Sequence, residues 1–189
     1  GQDFMELYPA ANILVATKKD FEKQNRKKFV SRIATGDYDA VIIAHSSFEK
    51  VPISKERQEK LIKKEIEEIT DYIAKTKAQG GQSWSVKQME ATYKKLHEKL
   101  QSLTDDTKKD DVLNFEQLGV DYLFVDEAHT YKNLYTNTKM SNVAGVNTSN
   151  SNRASDMFLK TQYIQEKNNG RGVVFATGTP ISNSMSELY

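Results

Sequence analysis

Four short apolar runs, rich in β-branched or aromatic residues, constrain the fold of this chain most tightly: Ile13 to Ala16, Ala40 to Ala44, Tyr122 to Val125 and Val173 to Ala176. Each stops at polar or small residues, as buried strands do. The stretches between them are long and helix-like, too long for hairpin turns. Strands joined by crossover helices pair in parallel, so the expected class is α/β, a parallel sheet flanked by helices.

The first connecting segment, Lys18 to Ala34, reads as a helix with Phe21, Phe29, Val30 and Ile33 toward the core and Gly36 as its stop. Its other face carries Lys18, Lys19, Lys23, Arg26, Lys27, Lys28 and Arg32. A solvated surface is the ordinary explanation of such a face, and contact with a phosphate backbone is the sharper one. Overall charge does not decide between them, because 27 basic residues nearly balance 26 acidic ones for a net +1.

Residues 54 to 104 differ in kind. Ile62, Ile66, Ile69 and Ile73 repeat at helical spacing, and Val86, Met89, Tyr93, Leu96, Leu100 and Leu103 alternate by three and four, as a coiled-coil seam does. Gly80-Gly81 offers a turn between them, and Ser85 with Gln88 has capping-box spacing. An inserted antiparallel helical hairpin is expected, serving as a spacer or as a contact arm for a nucleic acid or partner. The chain would then comprise 1–53 as the first part of a sheet domain, 54–104 as the hairpin, and 105–189 as the second part. Thr136 to Asn152, rich in Asn, Ser, Thr and Gly, reads as a mobile loop.

The chemistry lies where strands end. Tyr122 to Val125 runs into Asp126-Glu127-Ala128-His129, and ligands of open α/β sheets gather at the carboxyl ends of strands. Adjacent carboxylates there suit a magnesium nucleotide: Asp126 holds the metal through water, and Glu127 polarises the attacking water. An acidic surface turn would also account for the pair. There is no cysteine, which excludes disulfides, thiol catalysis and zinc knuckles and fits a reducing cytoplasm. No run approaches the roughly 18 apolar residues of a membrane span, so a soluble, cytoplasmic protein without membrane contact is expected.

Further matches turn this pattern into a family resemblance. Asp126-Glu127-Ala128-His129-Thr130-Tyr131-Lys132-Asn133 resembles the DEAH-x-x-Lys-Asn form of motif II in SNF2-like superfamily 2 helicases and translocases. About fifty residues on, the last strand ends in Thr177-Gly178-Thr179-Pro180-Ile181-Ser182-Asn183-Ser184, followed by Glu187-Leu188. This resembles the family's motif III. Asp39 to His45 with Ser46-Ser47-Phe48 is similar to the motif Ib region, and Phe4 to Pro9 to the stretch after motif Ia. A plain strand and turn would equally explain the motif Ib match, and His45 and His97 carry no mark of a metal ligand.

The resemblance implies a partial RecA-like lobe of an ATP-dependent DNA translocase or helicase. It implies Asp126, Glu127 and His129 as catalytic residues and Lys132 and Asn133 as an extension of motif II. It further implies a coupling turn at Thr177, Gly178, Thr179 and Pro180, and backbone contact at His45, Ser46 and Ser47. ATP and Mg2+ would be the cofactors of the full-length protein; nucleic acid, with duplex DNA favoured by analogy, and a second RecA-like lobe would be the partners. No Gly-x-x-x-x-Gly-Lys-Ser/Thr loop occurs in the chain, so the segment alone is expected to bind no ATP and to be inactive. Within the family, the large helicase and methylase-associated proteins of bacterial plasmids and phages are the most similar in flavour.

Two other functions fit parts of the pattern. A non-catalytic nucleic-acid-binding or scaffold module with vestigial ATPase motifs would put the hairpin to work, and a Gly-Lys-Thr loop upstream in the full-length protein would argue against it. A stand-alone metal-dependent hydrolase would need more ligands than Asp126, Glu127 and His129 supply.

Overall fold

A computed structural model describes residues 1–78, 83–105, 113–132 and 152–179, with the side chains of 83–85 and 88 excepted. These residues form two compact units. Residues 1–53, 113–132 and 152–179 make the first, and 54–78 with 83–105 the second.

The first unit follows the α/β pattern. After a short helix α1 (Gln2–Leu7) come β1 (Ile13–Val15), α2 (Lys23–Thr35), β2 (Ala40–Ile42) and the one-turn helix α3 (His45–Phe48). The unit resumes with β3 (Leu123–Val125), α6 (Asn152–Lys167) and β4 (Val173–Phe175). All four expected strands are present, each trimmed to three residues. They pair in parallel, Ile13 opposite Ala40 and Leu123 opposite Val173. One continuous sheet was expected; the described residues instead form two separate two-stranded ladders, β1 with β2 and β3 with β4. Much of one face is bare, with Phe124 72% and its register partner Val174 46% exposed.

The expected helix from Lys18 is broken. Asp20 accepts hydrogen bonds from both the amide and the hydroxyl of Thr17, at 2.7 and 2.6 Å, and closes a 3-10 turn over Lys18–Phe21. Glu22 is then extended and α2 starts afresh. Phe21, Phe29, Val30 and Ile33 are all buried, as their spacing requires. The core continues through Val51, Ile53, Phe115 and Ile164. Phe115 donates its amide to Pro52 O at 2.8 Å, so the chain leaves and re-enters this unit at neighbouring points.

Gly172 shows why a glycine precedes β4. Its φ is +94°, and a Cβ there would stand 2.8 Å from Ile164 Cγ2 and 3.0 Å from Asp121 O. Only a residue without a side chain lets α6 and the start of β3 close on that backbone.

In the second unit, α4 (Lys55–Ala78) and α5 (Ser83–Asp105) pack side by side. Lys77, at the end of α4, pairs with Glu90, near the start of α5, at 2.8 Å. At the opposite end Gln58 and Ile62 share a hollow with Lys99, Ser102 and Leu103, so the helices run antiparallel. Ile62, Ile69, Val86 and Leu96 are buried along the seam. Tyr93 departs from its expected seam position: it is 37% exposed and its ring lies 4.5 Å from that of His97. The Gly80-Gly81 turn, the Ser85 and Gln88 cap, and the loop from 136 to 151 lie outside the described residues and side chains. Among the described residues, no helix is long and apolar enough to cross a membrane.

Candidate catalytic rim at the ends of β3 and β4

The parallel register that sets Val125 opposite Phe175 delivers the two motif-bearing turns to the same rim. Ala176 donates its amide to Val125 O at 2.8 Å, and Ala128 donates to Ala176 O at 3.0 Å, extending the ladder past the last strand residue. The acidic pair and the Thr-rich turn are therefore neighbours.

His129 is the junction. Its Nδ1 lies 3.0 Å from Thr177 Oγ1, 3.2 Å from Thr179 Oγ1 and 3.2 Å from Glu127 Oε2. Thr177 Oγ1 also accepts the Thr179 amide at 3.1 Å, which shapes the turn. One ring nitrogen carries at most one proton, so the two hydroxyls and the carboxylate compete for it. A neutral Nδ1 can accept from either threonine, whereas a protonated Nδ1 can donate to Glu127.

The second acid sits on strained backbone. Glu127 has φ +47° and ψ +43°, a left-handed conformation uncommon outside glycine and asparagine. Such conformations cost about 1–3 kcal/mol and persist where the surroundings enforce them. Here the enforcing bonds are the Ala128 to Ala176 link and the 3-10 turn Ala128–Tyr131 that follows at once. Asp126 is exposed, and its Oδ1 accepts the Glu127 amide at 2.9 Å. That bond orients the carboxylate and leaves its second oxygen for a cation.

Among the described residues no three His, Cys, Asp or Glu side chains group to hold a metal ion. The donor set fits a magnesium ion that arrives with phosphate and water as its other ligands, which is how magnesium is usually held.

Other expected site residues are scattered. Lys132 closes the 3-10 turn, its amide donating to His129 O at 3.4 Å; Gly178 sits exposed in the Thr-rich turn. Asn133, Pro180 and the Ser184-to-Leu188 stretch lie outside the described residues. Of the motif Ib trio, Ser46 is exposed and His45 partly so, but Ser47 is buried. Ser47 is the buried residue of α3, which spans His45–Phe48.

Sequence reasoning missed a cluster behind the rim. Tyr131 is buried, with Arg153 5.2 Å and His45 5.3 Å from its ring centroid. Burial pushes its phenol above the ordinary value, and the Arg153 charge opposes that. Arg153 also pairs with Glu49, and the wholly buried Lys160 pairs with Asp156 at 2.6 Å. Burial lowers the Lys160 ammonium and raises the Asp156 carboxyl, each shift being opposed by the partner's charge. The only hint in the sequence was the four-residue spacing of Asp156 and Lys160, which ordinarily marks a surface pair.

The chain matches, over residues 1–189, the model of a family described as a probable helicase domain. It belongs to that family. Defense against restriction protein B of Escherichia phage P1 is 27% identical over 162 residues, covering 85% of this chain and 7% of that protein. The chain thus spans a small part of that relative's length. No solved structure matches.

Proposed function

We propose that this helicase-related domain is an interior portion of the first RecA-like lobe of an ATP-dependent DNA translocase or helicase. The supporting observation is the convergence of Thr177 and Thr179 on His129, one residue from Glu127, at the ends of adjacent parallel strands.

In this proposal Asp126 would hold magnesium, and the ion would supply charge neutralisation for the nucleotide's phosphates. Glu127 accepts a proton from the water that attacks the γ-phosphate. His129, released from or held by Glu127, passes the change to Thr177 and Thr179, and Lys132 closes the turn that carries His129. Duplex DNA is the proposed track, met in part by His45 and Ser46, and a second lobe of the same protein completes the ATP site.

ATP turnover by the full-length protein, with and without duplex DNA, tests the proposal. DNA-stimulated turnover is expected there, and none is expected from the 189-residue chain alone. Turnover by the isolated chain, or a full-length protein indifferent to DNA, contradicts it.

A further inference from the structure

We infer that Lys160 and Arg153, both carried by α6, are positioning residues that fasten α3 to the turn behind the acidic pair, so that the two respond as one body. What that body does rests on the proposed ATPase function.

Three segments distant in sequence meet around Tyr131. The 3-10 turn supplies Tyr131 itself, α3 supplies the His45 ring at 5.3 Å, and α6 supplies the Arg153 guanidinium at 5.2 Å. Val125, Tyr131 and Met157 are buried together, with Phe48 and Ala128 packed against them. Apolar packing alone would hold these segments together, but it is non-directional.

The two cations of α6 add direction, and both address the same end of α3. Arg153 pairs with Glu49, the residue that closes α3. Lys160 Nζ donates to Phe48 O, the carbonyl of the last α3 residue, at 3.0 Å and stands 4.3 Å over the Phe48 ring. Helix ends leave carbonyls without intrahelical partners, and a cation there fixes their direction.

An ion pair with a wholly buried cation is a poor way to add stability, because an apolar side chain of similar volume often does as well or better. Lys160 and Asp156 therefore contribute chiefly a defined geometry. A force on α3, such as a polymer backbone on Ser46, then reaches the Ala128–Tyr131 turn and, through it, Glu127 and His129.

The test is ATP turnover by the full-length protein, with and without duplex DNA, for Lys160→Met and Arg153→Gln. Arg153 is 38% exposed, so its variant folds even if methionine is not tolerated at the buried site. Basal turnover should stay near the wild-type value while the DNA-stimulated ratio falls about tenfold, the scale of a typical coupling between sites. The charge-swapped pair Arg153→Glu with Glu49→Arg should restore much of the ratio, which a merely adhesive contact would not require. If the wild type is stimulated and the ratio survives both single substitutions, or basal and stimulated rates fall in proportion, this inference fails alone. If the wild type shows no DNA-stimulated turnover, the ATPase proposal fails and this inference with it.

Discussion

The turn after β1 and the turn after β3 begin alike and end differently. Each follows a three-residue parallel strand and each contains a 3-10 turn, Lys18–Phe21 in one and Ala128–Tyr131 in the other. After β1 the bonds are local: Thr17 and Asp20 satisfy one another, and that hydrogen bonding holds the Asp20 carboxyl below its ordinary value. After β3 the bonds leave for the neighbouring strand, His129 reaching Thr177 and Thr179 about fifty residues away. Glu127 meanwhile occupies left-handed backbone. The first turn closes on itself without a left-handed residue, whereas the second, held toward its neighbour, carries one at Glu127.

The largest difference should appear behind the second turn. Lys160→Ala leaves the part-buried Asp156 without its cation and Phe48 O without its donor, and such breakage costs about 3 kcal/mol. Thr17→Ala, which removes one member of the cap after β1, should cost only about 1 kcal/mol. Denaturant unfolding of both variants measures the gap, and equal losses would erase the contrast.

Next in size, Glu127→Gly relieves the left-handed conformation and should stabilise the chain by about 1 kcal/mol, after allowing for glycine's freedom when unfolded. A substitution at the acidic pair that raises the melting temperature would mark strain retained at that turn. A fall in melting temperature would show that the side chain of Glu127 does structural duty instead.

The smallest effect is a pair of opposite slopes with pH. The Asp20 carboxyl is held below 3.8 in the folded chain, so its contribution is present above 3.8 and is lost as pH falls through the folded value. Burial raises the Asp156 carboxyl above 3.8, so the folded chain keeps a proton that the unfolded chain has released. Its contribution is present below 3.8 and is lost as pH rises through the raised value. Stability curves of Asp20→Asn and Asp156→Asn against pH should bend away from wild type in opposite directions, and bending the same way would contradict these environments.

What the sequence displayed was local. Runs such as Leu123-Phe124-Val125 announce strands because β-branched and aromatic residues cluster there, and Asp126 to His129 and Thr177 to Thr179 stand at their ends. Bonds between distant residues were not displayed: Arg153 meets Glu49 across 104 positions and Lys160 meets Phe48 across 112. No local periodicity encodes such meetings. Ser47 looked as available as Ser46 until the single turn of α3 set their directions. The split into two ladders was equally hidden, since a run's composition says that a strand forms and not which strands it joins.

The central claim is that Glu127 activates water for attack on a nucleotide. Glu127→Gln in the full-length protein keeps size and loses the base, so DNA-stimulated ATP turnover should fall by at least about 100-fold while Mg-ATP still binds. Turnover within a few-fold of wild type would contradict the account.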